Sequence, residues 1–363
     1  MSETPPSETA KAAAPNSPAP GAPTLTFRGG GWVIALAGLL VALIMGWSLL
    51  PVILGVRPIG DGRSLESYGF DLSTLLIDRA TLVGSGNPRG FLPSLDDPKH
   101  VRGSEMLVFN EQNRPKYVVP TDRVIGIVVD GQAHAWPLSL MNVHEVVNDT
   151  VAGRPVAATY SPLCDKVPAG PDGAGPSSAA STLFSQLEAR AIAGPMATEG
   201  VTLTPLPNVC ITTWADWLSR HPTTTVTLRD PDMIRRMKEI SYAHYFLSRD
   251  LQAPAAPLPG EDELAAAGLR LKSPMIAVRT AATGPWTLLS IESLVAAGLP
   301  QDRTARVTVD GVELVVAVPV GPAVARVERA DGAPVLTVPV LYFAAQALLA
   351  ERDGVTLLSR PSR

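Results

Sequence analysis

The chain has 363 residues, a formal net charge of −4, 2 cysteines, 35 prolines and 30 glycines. A mildly acidic balance with no basic patch excludes nucleic-acid recognition, and the absence of both glycine-rich phosphate loops excludes a nucleotide site of those kinds. The many prolines and glycines punctuate the sequence with turns, which favours strands over long helices.

Residues 1–28 are rich in Pro, Ala, Ser and Thr and offer little to a core, so a disordered tail is expected there. Residues 29–56 then run without a charge. A helix needs about 20 apolar residues to cross a hydrocarbon core of about 30 Å, so 29–56 reads as a transmembrane anchor that meets lipid through residues 32–54. The run is too long for a signal peptide and has no small-x-small cleavage site. A core helix with no polar face would need protein around it on every side. Lys11 and Arg28 before the run balance Arg57 and Arg63 after it, so charge alone leaves the orientation open. Trp32 and Trp47 are candidate interface anchors.

Residues 57–122 form a membrane-proximal lead-in, with a short helix expected over 71–78 and a loop over 84–101. Residues 123–138 carry a strong hairpin signal, two β-rich runs around Asp130-Gly131. A second hairpin is expected over 150–163, turning at Ala152-Gly153. Residues 139–148 between them read as a short helix or turn carrying His144 and Glu145, and 181–192 as a helix. Later segments echo these. Residues 273–294 resemble 123–141, with Trp286 answering Trp136. Residues 305–320 answer the second hairpin through Asp310-Gly311, and 333–358 answer 201–228 as strand, helix and strand. Three correspondences in one order predict an internal duplication, with a first half at 123–230, a connecting segment at 231–272 and a second half at 273–363. The expected fold is mainly β with short helices (α+β), two related hairpin-plus-helix halves behind one transmembrane helix.

The stretch from His144 to Asp149, the following Gly153-Arg-Pro-Val and the Thr159-Tyr-Ser-Pro-Leu-Cys164 motif resemble the bacterial family labelled domain of unknown function 3179. The 122–138 hairpin segment and the segment containing Trp214, Trp217, His221 and Pro222 are similar to it too. The resemblance covers most of residues 84–358 and implies an architecture and an exported location, with the domain facing the periplasm or the cell exterior. It implies no reaction. The family's usual Cys-x-x-Cys, with a nearby His, could bind a soft metal, but Ser161 stands where its first Cys would be.

The soft ligands in these regions are Cys164, Cys210, His134, His144 and His221. His144 with Cys164 is a candidate pair for copper or zinc, an incomplete site since such ions take three or four ligands. Cys164 and Cys210 are equally candidates for buried thiols or for disulfide partners in an oxidising compartment. Glu145 and Asp149, four apart, would share a face of a helix. Asn148 and Asp149, placed just before a strand, are expected to fix a turn through backbone hydrogen bonds. Trp136, Trp214 and Cys210 are expected to be structural, with Trp136 and Trp286 packed in the core. A Gly-x-Ser-x-Gly elbow is absent. The sequence therefore reads as a non-catalytic binding or scaffold protein in the bacterial inner membrane, single-pass, with its C-terminal domain in the periplasm. It would serve as an accessory subunit of a respiratory or photosynthetic complex, with membrane or periplasmic proteins as partners and no cofactor. The alternative is a copper- or zinc-binding or redox protein using Cys164 and His144.

Overall fold

The computed structural model describes residues 31–53, 59–84, 86–114, 116–164, 169–171, 182–185, 190–204, 206–229, 233, 242–252, 261–281, 283–321, 324–347 and 354–358, without the side chains of 48, 51–53, 81, 169–171 and 261. The tail expected at 1–28 lies outside these residues. The chain divides into two compact units, Met1–Pro58 and Ile59–Arg363.

The described part of the first unit is one helix, Gly31–Ile53, of 23 residues with no charged side chain. Its large apolar side chains are exposed on every face, from Trp32 through Ile44 to Trp47. Among the described residues no helix is long and apolar enough to cross a membrane. The stretch of this helix whose side chains are described without a break ends at Trp47.

The second unit is mainly β with short helices. Its first part holds β1 (Leu95–Asp96), β2 (His100–Arg102), β3 (Arg123–Val129), β4 (Gln132–Pro137), β5 (Val146–Val151), β6 (Arg154–Thr159), β7 (Ala169–Pro171), β8 (Leu183–Ser185), β9 (Arg190–Ala193), β10 (Cys210–Thr213) and β11 (Thr225–Thr227). The second part holds β12 (Pro274–Arg279), β13 (Trp286–Ser290), β14 (Thr304–Val309), β15 (Val312–Ala317), β16 (Arg326–Arg329), β17 (Leu336–Leu341) and β18 (Val355–Leu357).

The two parts repeat one pattern. The first has a sheet in the order β10-β3-β4-β11, extended at its edge by β2, and the second has β17-β12-β13-β18. In each, the first two neighbouring pairs are antiparallel and the last is parallel. Each four-strand pattern is accompanied by a smaller meander, β5-β6-β7 in one and β14-β15-β16 in the other. Helices follow equivalent strands: Leu138–His144 after β4 and Ile291–Ala296 after β13, Trp214–Arg220 after β10 and Tyr342–Ala345 after β17. Three hairpin turns fall where the sequence puts them. Asp130-Gly131, Ala152-Gly153 and Asp310-Gly311 all have positive φ at both positions, the geometry whose twist matches that of the flanking strands.

Alternation along each central strand divides the core. Ile125, Ile127 and Trp136 face the small meander and pack with Val147 and Val156. Val124, Ala135 and Cys210 face the other way, against Trp214 and Trp217 of the helix after β10. In the second half Ile276, Val278 and Leu289 pack with Val307 and Leu314, while Met275, Ala277 and Trp286 lie with Tyr342 and Phe343.

The register corrects the expected pairing of tryptophans. Pro137 faces Val124 at the end of β4, and Ser290 faces Met275 at the end of β13. Counting back from these ends, Trp136 corresponds to Leu289 and Trp286 to Ala133. Both rings are buried, as expected, but on opposite faces of their sheets.

Three local expectations also change. Residues 71–78 do not form a helix: the Asp71 carboxylate accepts from the backbone and side chain of Ser73, and Asp78 caps a short 3-10 turn at Arg79–Thr81, local bonding that competes with a helix. The loop expected at 84–101 contains β1 and the start of β2. The helix expected over 181–192 is replaced by the antiparallel pair β8 and β9, whose cross-strand hydrogen bonds override a weak helical pattern.

Candidate functional site

Asp149 does not precede a strand. It lies within β5, opposite Val156, and its alternation turns the carboxylate toward β4 and β11. Glu145 is not on a shared helical face with it; Glu145 closes the Leu138–His144 helix in the left-handed region at φ 56. The Asp149 carboxylate is nearly inaccessible and serves as the centre of a polar knot.

Its Oδ2 accepts the Trp136 indole N–H at 2.8 Å and the Thr227 hydroxyl at 3.1 Å. Its Oδ1 accepts the Thr150 backbone N–H at 2.7 Å and lies 2.7 Å from His100 Nε2. His134 Nε2 stands 3.4 Å from Oδ2 and 2.8 Å from the Thr227 hydroxyl, while His134 Nδ1 meets the Thr225 hydroxyl at 2.6 Å. The two imidazoles lie with centroids 4.4 Å apart, and His134 meets the Trp136 ring edge-on at 4.7 Å.

Each element places its side chain for a local reason. The period of two along β4 puts His134 and Trp136 on one face. The parallel pairing of β4 with β11 sets Thr225 opposite His134, and the antiparallel pairing of β11 with β2 sets Thr227 opposite His100. The knot therefore draws β2, β4 and β11 of one sheet onto β5 of another.

Burial alone would raise the Asp149 pKa, but the hydrogen bonds and charges of His100 and His134 outweigh it and hold the carboxyl well below its usual range. Burial pushes the His134 pKa down, against the pull of Asp149. Among the described residues, His100, His134 and Asp149 are the group of three ligating side chains close enough to hold a metal ion, with their ligand atoms within 4.8 Å of one another.

The other residues singled out in the sequence lie around this knot rather than in it. His144 Nδ1–H donates to the Pro93 carbonyl at 2.8 Å. Cys164 is half-buried against the core of the second half, and its carbonyl accepts the Leu341 N–H. Cys210 is buried in β10 beside Trp214, and no disulfide joins the two cysteines. Burial pushes the Cys210 thiol up to about 11 and the Glu145 carboxyl up to about 7. Asn148 reaches across to Asp96 on β1 at 2.6 Å. Trp214 opens its helix with its backbone N–H on the Asp122 carbonyl.

Sequence reasoning counted His134 among the soft ligands but missed His100, Thr225 and Thr227. The alternation that sets His134 beside buried Trp136 was a readable signal. His100 sits in a strand of three residues whose partner, β11, is far away in the sequence.

Neither the curated proteins nor the solved structures contain a match to this chain. A family model does match, described as Protein of unknown function (DUF3179), over residues 89–169 and 178–297. Those two segments cover more than half of the sequence and include every residue of the polar knot, so the chain belongs to that family.

Proposed function

We propose that this chain is a single-pass membrane protein of the bacterial inner membrane. Its second unit works in the periplasm as a non-catalytic binding or scaffold part of a larger membrane assembly. The observation that carries this reading is the helix Gly31–Ile53, which has no charge and exposes its large apolar side chains all round. In the sequence the uncharged run extends over residues 29–56, and about 20 apolar residues rising about 1.5 Å each suffice for a hydrocarbon core of about 30 Å. Apolar area of that extent in water would be costly. The polar side chains of the knot bond chiefly to one another, which supports a binding or structural role over turnover.

The competing reading, copper or zinc held by His144 and Cys164, has less support. His144 ends a helix of the first half and bonds to Pro93, whereas Cys164 packs on the core of the second.

Protease added to intact spheroplasts tests the topology. Digestion of residues 59–363 without lysis is expected, and complete protection until lysis would reverse the orientation. Native electrophoresis of gently solubilised membranes tests the assembly. Migration well above the mass of one chain is expected, and migration as a monomer would remove the scaffold role.

A further inference from the structure

We propose that His100, His134 and Asp149 form a binding site for one divalent transition-metal cation of the zinc type. The three ligand atoms come from β2, β4 and β5 and lie within 4.8 Å of one another. Two imidazole nitrogens and one carboxylate oxygen form a donor set suited to such ions, with bonds of about 2.0–2.2 Å. In a tetrahedral shell, bonds of that length set neighbouring ligand atoms about 3.3 Å apart. His134 Nε2 stands 3.4 Å from Asp149 Oδ2, and His100 Nε2 stands 2.7 Å from the other oxygen of that carboxylate, Oδ1, so a cation seated among them requires the partly exposed edge of the site, His100, to draw back.

The surroundings are arranged as an outer shell arranges ligands. The Thr225 hydroxyl fixes the far nitrogen of His134, and the Trp136 indole and the Thr150 N–H fix the two carboxylate oxygens. Such contacts set the orientation of metal-binding imidazoles and carboxylates. Access is one-sided: the His100 side chain is 27% exposed, while those of His134 and Asp149 are 1% exposed. A cation would enter past His100, leaving one coordination position toward solvent.

The fold itself does not call for these residues. By strand register, the second half has Thr287 where the first has His134, Leu289 for Trp136, Val307 for Asp149 and Leu358 for Thr227. Among the described residues it has no counterpart of β2. Leu289 and Val307 are buried together in an apolar core, with Leu358 against it. One topology is filled with hydrocarbon in one copy and with three metal-ligating groups in the other. Burying polar groups where apolar ones suffice is a cost, and cation binding accounts for it.

The test uses the full chain, untagged by histidines, purified in detergent and stripped with a chelator. Calorimetric titration with Zn²⁺ should give one equivalent, and Co²⁺ should give the intense visible bands of a low-coordinate site. His100→Gln should weaken Zn²⁺ binding at least 100-fold, and Cys164→Ser should leave it unchanged. His100→Cys should restore one equivalent and add a thiolate-to-cobalt charge-transfer band, which requires a folded site. No uptake of Zn²⁺ or Co²⁺ by the wild type overturns the proposal. So does uptake that His100→Gln leaves intact, or uptake that His144→Ala and Cys164→Ser abolish instead.

Discussion

The two halves of the second unit share a strand order and strand directions, yet they differ at the same three-dimensional positions. Where the first half buries Asp149, His134 and Trp136 in a hydrogen-bonded knot, the second buries Val307 and Leu289 beside Thr287. A further exchange lies on the opposite face. Gly126 of β3 accommodates the Trp217 ring so closely that a Cβ on it would stand 2.4 Å from ring carbons. The corresponding residues of the second half, by register and helix start, are Ala277 and Ala345, both buried. A third difference is at the helix end. The first half turns at Glu145 with φ 56, and the second at Gly298 with φ 83. A common backbone is therefore satisfied by two packing solutions, one apolar and relaxed, the other polar and locally strained.

The sharpest way to expose that difference is to give the first half one residue of the second. Asp149→Val removes the shared acceptor and leaves the Trp136 indole, the Thr227 hydroxyl and two imidazoles without it. Losing one partner of a buried charged network costs about 3–5 kcal/mol, to be read by urea unfolding of the full chain. A change below about 1 kcal/mol would mean that the knot is loosely held.

Gly126→Ala should cost about 2–3 kcal/mol by overpacking against Trp217. Trp217→Ala alone should cost about 3–5 kcal/mol, and the double variant should lose less than the sum of the two, since Ala facing Ala is the arrangement of the second half. Additive losses in the double variant would show that the two residues are not coupled.

A smaller effect is expected from Glu145, and it depends on pH. Its carboxyl is raised from 4.5 to about 7 by burial, so the folded state holds a proton that the unfolded state releases. The stability associated with this group is fully present below about pH 4.5, falls as pH rises toward 7, and is level above that. Glu145→Gln, which carries no charge, should therefore be more stable than the wild type at pH 8 by about 1–2 kcal/mol, with the difference vanishing near pH 4. A difference that does not vary with pH would assign the effect to shape and not to charge.

Much of this architecture was legible in the chain. The Asp-Gly and Ala-Gly turns fixed three hairpins, because positive φ at two successive positions is a local demand. The repeated order of runs announced two similar halves. The tryptophan correspondence failed because similar Trp-x-Leu strings suggested an alignment that the hairpins do not keep. The connection from β12 to β13 has six residues, 280–285, whereas β3 and β4 are joined by two, Asp130 and Gly131. The polar knot was half legible. His134, Trp136 and Asp149 lie in clear alternating runs, but Thr225, Thr227 and His100 join them through pairings between distant segments, and a three-residue strand carries no periodicity of its own.

The claim that joins these observations is that the knot is a feature added to a backbone that stands without it. One variant tests this directly: His134→Thr, Trp136→Leu, Asp149→Val and Thr227→Leu together, which installs the second half's residues at their own positions. Removing donors and acceptor as a set leaves few buried groups unsatisfied, so the fourfold variant should unfold at a higher urea concentration than Asp149→Val alone. A fourfold variant less stable than that single one would contradict the account and make the knot a requirement of the fold.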